Sequence, residues 1–240
     1  ADLLKFPIGV RAGRETLEPM ILDLRPSGLG GEQAFHTVLF GTTGSGKSVC
    51  MQSMILSAAF LYPPSVLNFL LMDFKGGASA LTRLKELGLP HCVGNVTDLN
   101  TELTKRALTA LDSEFKRRKQ IFEKVGNPEN LFVLNERYPD KALPHLLIVL
   151  DEFSKGFELL PEMQPVLQTL VSQGRALGMY LLLANQRVTN AVDNLLANIG
   201  WRIVLRVEGK DEMRLIEGSL PITSRPGHGY VRVKEQVYEF

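Results

Sequence analysis

The chain has 240 residues, 45% of them hydrophobic and 22% charged, with 27 basic and 26 acidic side chains and a formal net charge of +1. This describes a globular domain long enough to bury a core without metals or disulfides, and excludes a disordered or fibrous chain. The near-neutral charge lacks the basic excess of a domain that grips nucleic acid by its phosphates, so DNA binding is unsupported by charge rather than excluded.

Cys50 and Cys92 cannot build a disulfide framework and have no metal-ligand spacing with the four histidines, which fits a reducing cytosolic setting. No apolar run approaches the ~20 residues of a membrane-spanning helix, and Ala1-Asp2-Leu3 does not read as a cleavable signal. Without an initiator methionine, and ending on a strand-like segment, residues 1–240 read as a single domain excised from a longer chain.

Ile8 to Leu24 mixes short apolar stretches with Gly9, Gly13 and Pro19 and reads as a β-hairpin at an edge, followed by a loop at Leu29-Gly30-Gly31. His36 to Phe40 is a β-rich run, Gly41 to Gly46 a glycine-rich loop, and Ser48 to Phe60 a helix broken by Pro63-Pro64. Val66 to Met72 is almost continuously apolar and ends at Asp73, as in a strand buried on both faces of a parallel sheet. Leu99 to Val125, with Glu114, Lys116, Arg117, Arg118 and Lys119, reads as one helix with a solvated charged face.

Asn127 to Pro144 holds three prolines and reads as a loop into a second apolar strand, His145 to Leu150, which ends in Asp151-Glu152. Glu162 to Leu177 is helical, and a third strand, Tyr180 to Ala184, ends in Asn185-Gln186. A fourth, Trp201 to Val207, follows Ala191 to Ile199, and Gly229 to Val233 with Gln236 to Phe240 forms a terminal hairpin turning at Lys234-Glu235. Alternating buried strands and helices predict an α/β fold, a mostly parallel, doubly wound sheet flanked by helices.

Gly41-Thr42-Thr43-Gly44-Ser45-Gly46-Lys47-Ser48 fits G-x-x-x-x-G-K-[ST] at every fixed position and lies between a strand and a helix, where that motif holds phosphate. Glycines let the loop curl so that backbone N–H groups point at the phosphates, helped by the positive end of the helix that Ser48 and Val49 begin. Lys47 then serves the β- and γ-phosphates, and the Ser48 hydroxyl ligates magnesium. Leu146 to Leu150 delivers Asp151 and Glu152 at the strand edge where open α/β sheets bind ligands. Asp151 is assigned to magnesium, and Glu152 to polarising a water for attack on the γ-phosphate of ATP. Gln186, after the next strand, is placed to sense that phosphate or to position the water.

With these motifs in place, the chain resembles the FtsK/SpoIIIE family of RecA-like motor ATPases, and within it the ATPase modules of the type VII secretion group EccC/EssC. The resemblance runs from Gly41 to the C-terminus and rests on Gly41 to Ser48, Met72 to Ala78, Leu150 to Phe153, Gly174 to Gly178 and Leu182 to Arg187. Asp73-Phe74-Lys75-Gly76-Gly77 is similar to the secretion branch, whereas DNA-pumping members usually carry Asp-Pro-Lys there. One departure is Ser154-Lys155-Gly156, where the family often continues with acidic and apolar residues.

The resemblance implies a RecA-like P-loop domain binding ATP and magnesium, one of several tandem modules on a membrane-anchored chain at the cytoplasmic face, with secreted proteins as substrates. It also implies neighbouring ATPase domains, of the same chain or a hexamer, that supply an arginine to the γ-phosphate. Arg202 and Arg206 are the candidates here, with Arg175 and Arg187 behind them. The alternatives are a DNA translocase, and a nucleotide-stabilised docking module with little turnover whose apolar candidates are Ile199 to Trp201 and Leu215 to Leu220.

Overall fold

The computed structural model describes residues 4–12, 16–25, 35–76, 80–96, 100–216 and 220–240; the loop expected at Leu29-Gly30-Gly31 lies outside them. In chain order the elements are β1 (Lys5–Ala12), β2 (Leu17–Asp23), β3 (Thr37–Phe40), α1 (Lys47–Leu61), β4 (Leu67–Asp73), α2 (Ala80–Glu86), β5 (Cys92–Val96) and α3 (Thr101–Lys124). There follow α4 (Leu131–Arg137), β6 (His145–Asp151), α5 (Phe153–Leu159), α6 (Met163–Thr169), β7 (Met179–Asn185), α7 (Asn190–Leu196), β8 (Trp201–Val204), α8 (Lys210–Met213), β9 (Tyr230–Val233) and β10 (Gln236–Glu239).

Among the described residues eight strands form one sheet in the order β10-β9-β8-β3-β7-β6-β4-β5. From β8 to β5 all neighbours are parallel, and β9 and β10 add an antiparallel edge. The strands are apolar throughout because both faces are covered. In β6, Leu146, Ile148 and Leu150 pack on one side with α3 to α7, while Leu147 and Val149 pack on the other with α1, α2 and the β1–β2 hairpin. The order places β7 between β3, which carries the glycine loop, and β6, which carries Asp151.

Four expectations change. The β1–β2 hairpin is not part of the main sheet's edge; it is a separate two-stranded sheet whose Phe6, Ile8, Met20 and Leu22 join the core around α1. Between Pro128 and Pro139 the chain is not loop but α4, whose Asn130 side chain accepts the Val133 N–H at 3.1 Å as an N-cap. The helix expected over 162–177 runs only as α6 and then widens into a π-helical segment, Leu170–Gly174. Finally, Arg118 is not on a solvated face: only 2% exposed, it donates to Glu114 at 2.7 Å and to the carbonyls of Leu177 and Pro144 at 2.7 and 2.8 Å. It thereby pins α3 to the segments that enter β6 and β7, because a guanidinium can satisfy several carbonyls at once.

The apolar stretches considered for docking are largely interior: Ile199, Trp201, Leu215 and Ile216 are all buried. Phe60, near the end of α1, is instead 90% exposed.

Two histidines are folded into this core as neutral rings. His36 accepts the Leu181 N–H at 3.1 Å, and its pKa is lowered to about 4, chiefly by burial and further by the Arg175 charge. His145 lies under Phe132, ring centroids 4.6 Å apart, and burial with the Arg118 charge lowers it to about 3. The unfolded chain takes up these protons near pH 6.5, whereas the folded chain resists them until about pH 4 and about pH 3. Stability present above pH 6.5 is therefore lost as pH falls through that window, at about 1.4 kcal/mol per pH unit for each ring. Urea unfolding between pH 7 and pH 5 should show this slope, and a folded His36→Gln/His145→Gln variant should flatten it; an unchanged slope in that variant would refute the assignment.

Candidate nucleotide site

The glycine loop leaves β3 at the sheet's C-terminal edge and is tied to its neighbours by backbone bonds. Gly41 N donates to Asn185 O at 3.3 Å, Thr42 N to Arg206 O at 3.0 Å, and Gly227 N to Ser45 O at 2.7 Å. Gly44 and Gly46 take left-handed φ values of 76° and 92°, and a Cβ on Gly46 would lie 2.7 Å from Gly227 N, so loop curvature and close backbone approach both demand glycine there. The helix that follows has no side-chain cap and no acidic residue in its first turn, which leaves its leading N–H groups and dipole available to an anion.

At the next strand ends three carboxylates converge. Asp73 and Asp151 stand opposite each other at the ends of β4 and β6, and Glu152 follows in a left-handed conformation, φ 54° and ψ 44°, as the chain turns sharply into α5. Such a backbone costs roughly 1–3 kcal/mol in a non-glycine residue and is held only by its surroundings. Here Asp151 Oδ1 accepts the Glu152 N–H at 3.0 Å, and the Glu152 carboxylate turns back to Lys47.

Lys47 Nζ donates to Asp151 Oδ1 at 2.5 Å and to Glu152 Oε1 at 2.9 Å, all three side chains being buried. Burial pushes the Asp151 carboxyl above the ordinary range; the Lys47 charge pulls it back, and Asp73 and Glu152 push it up further. Asp151 Oδ2 and Asp73 Oδ2 are buried with no hydrogen-bond partner, and Asp73 Oδ1 accepts the Lys75 N–H at 2.7 Å. Unpartnered carboxylate oxygens beside a phosphate loop suit a hard cation that brings its own waters and phosphate ligands. Among the described residues no group of three or more histidine, cysteine or acidic side chains is placed to hold a metal ion.

The structure therefore brings together the loop Gly41 to Gly46, Lys47, Asp151 and Glu152, with Ser48 half-buried and Val49 exposed at the start of α1. Gln186 lines a small hollow with Thr42 and Glu212. Arg206 lies in cis against its own loop, its Nη2 donating to Thr43 O at 3.1 Å. Arg187 is exposed and paired with Glu208. Arg202 and Arg175 are not in the site; both line a cleft at the opposite edge of the sheet.

Two contributors escape a reading of the sequence. Asp73 is read there as a strand end and a family marker and is given no role in the site, although it ends an apolar strand just as Asp151 does. Asn185, whose side-chain amide donates to Ser154 Oγ at 2.7 Å and Arg187 O at 2.6 Å, ties the end of β7 to α5; nothing in its local sequence signals that role.

A phosphate loop on β3, acidic residues on β6 and a strand inserted between them define a P-loop NTPase domain of the RecA-like class. The chain belongs to the FtsK/SpoIIIE family, whose family model matches residues 4–230. It is 36% identical over 239 residues to the ESX secretion system protein EccC of Thermomonospora curvata, covering 95% of this chain and 18% of that protein. It is 35% identical over 244 residues to the type VII secretion system protein EssC of Staphylococcus aureus, covering 98% and 16%. The solved cytoplasmic domain of the T. curvata type VII secretion ATPase EccC superimposes with a TM-score of 0.85 at 35% identity, over 100% of this chain and 28% of that one. This chain thus spans less than a fifth of the two curated relatives, and no helix among its described residues is long and apolar enough to cross a membrane.

Proposed function

We propose that this domain binds ATP with magnesium and hydrolyses it as one module of a type VII secretion motor, at the cytoplasmic face of a membrane. The observation that carries the reading is the buried triad of Lys47, Asp151 and Glu152 at the mouth of the phosphate loop. The Lys47 ammonium is the group that the motif assigns to the β- and γ-phosphates, so nucleotide binding exchanges its carboxylate partners for phosphate oxygens. That exchange frees Asp151, with Ser48, to hold magnesium, and Glu152 to take the proton of the attacking water. The metal supplies neutralisation of the charge building on the phosphates. Arg206 braces the loop from its own chain, and Gln186 positions the water.

Relatedness to EccC and EssC supports protein export as the use of the energy, with secreted proteins as substrates and adjoining ATPase domains as partners. An arginine from a neighbouring module completes the charge stabilisation, worth about 10³ or more in rate, so the module alone turns over slowly. We read residues 1–240 as one domain of a longer membrane-anchored chain. The test compares magnesium-dependent ATP hydrolysis by this domain alone and joined to the adjoining ATPase domains. Stimulation by those domains or by a secreted substrate is expected. Stimulation by duplex DNA instead would move the assignment to a translocase, and bound ATP persisting unhydrolysed with the partner domains present would move it to a docking module.

A further inference from the structure

At the edge of the sheet opposite the phosphate loop, a cleft of about 820 Å³ opens between the segment entering β3, the loop before β8 and the β9–β10 turn. Arg202 on β8 and Arg232 on β9 stand directly opposite each other across this antiparallel pair, both half-buried, and so point to the same face of the sheet. Like charges in that position oppose each other and destabilise the pairing. Burial lowers the Arg202 pKa, and the Arg232 charge lowers it further.

Their hydrogen bonds go only to backbone carbonyls. Arg202 Nη2 donates to Leu196 O at 3.1 Å, and Arg232 donates through Nε to Lys234 O and through Nη1 to Ile216 O, each at 2.9 Å. Among the described residues neither forms an ion pair. Lys234 adds a third cation at the turn, and the sole carboxylate among the described lining residues is Glu235. In a chain of net charge +1 this is a local convergence, not a reflection of overall basicity.

We propose that this cleft binds an acidic segment of polypeptide, whose carboxylates bridge Arg202 and Arg232. Planar guanidinium forks match carboxylates, and a bridging anion converts the repulsion between the two arginines into attraction to a shared partner. The cleft is far larger than a phosphate, and buried Val171 and Ile199 give it apolar walls that suit the side chains between acidic residues. A nucleic-acid strand instead needs a run of phosphate contacts along an open basic track, which a single confined cleft does not offer.

The probe is a fluorescein-labelled peptide of alternating glutamate and valine, followed by fluorescence anisotropy with the 240-residue chain. Binding should be saturable, weaken with added salt, and be unaffected by saturating ADP. Arg202→Gln and Arg232→Gln should each weaken it about tenfold or more, the scale of one charge-assisted hydrogen bond, while Arg117→Gln on the exposed face of α3 leaves it unchanged. If Arg232→Gln does not fold, Lys234→Gln at the turn replaces it, with a smaller loss in the same direction. Wild-type affinity in the variants overturns the proposal, as does displacement by ADP, which would put the peptide in the phosphate loop. With ADP saturating that loop, displacement by pyrophosphate or a duplex oligonucleotide at lower concentration than by unlabelled peptide overturns the polypeptide assignment. Because the readout is peptide binding, its failure is separate from failure of the ATPase reading.

Discussion

Glu152→Gln is expected to lower ATP turnover by about 10²–10⁴-fold, the range for losing a general base, while MgATP remains bound. The amide has the same shape but cannot accept the proton of the attacking water. It also weakens the hold on Lys47, which now contacts both Asp151 and Glu152, so the ammonium is more easily drawn to the phosphates and nucleotide affinity should stay level or rise. Single-turnover hydrolysis and calorimetric binding separate the two effects. Wild-type turnover in this variant would remove Glu152 as the base, and parallel loss of binding would make it a structural residue. The Glu152 N–H keeps its bond to Asp151 Oδ1 in this variant, so the turn into α5 should form and the variant should fold.

Lys47→Ala should have two consequences. Nucleotide affinity should fall roughly 10- to 100-fold, on the scale of losing a charged hydrogen bond to phosphate. The protein itself should be destabilised as well, because Asp151 and Glu152 stay buried beside Asp73 with no cation between them; removing one partner of a buried ion pair costs about 3–5 kcal/mol. The pH dependence carries a definite sign. The Asp151 pKa is already raised by burial, and losing Lys47 removes the positive charge that most opposes that rise. A carboxyl with a raised folded pKa binds protons more readily folded than unfolded, so stability declines as pH rises through the interval between the two values. Urea unfolding at pH 5 and pH 8 should therefore show a larger gap from wild type at pH 8. An equal gap at both values would mean that the triad is not what Lys47 stabilises.

Much of this was legible in the amino acids themselves. The phosphate loop is local chemistry: glycines at fixed spacing, a lysine and a serine entering a helix, recognisable without knowing what surrounds them. Apolar strands ending in acids, at Asp73 and Asp151, are likewise a local pattern, since burial on both faces erases the alternation of a half-exposed strand. Prolines mislead at Asn127 to Pro144, because a seven-residue helix with its own asparagine cap fits between two of them.

Tertiary structure decided what depends on neighbours distant in sequence. Lys47 meets Asp151 and Glu152, more than a hundred residues away, only because the order β3-β7-β6 brings those strand ends within side-chain reach. Arg118, one charge in a run of charges, is interior because Pro144 and Leu177 present carbonyls to it where their segments enter β6 and β7. Arg202 and Arg206, four positions apart and equivalent as candidates by sequence, are separated by β8 itself: Arg206 emerges beside the phosphate loop, while Arg202 faces Arg232 at the far edge of the sheet. Residue type and spacing determined which chemistry was available; the strand order determined which side chains share it, since contact between remote segments is set by packing and not by any local pattern.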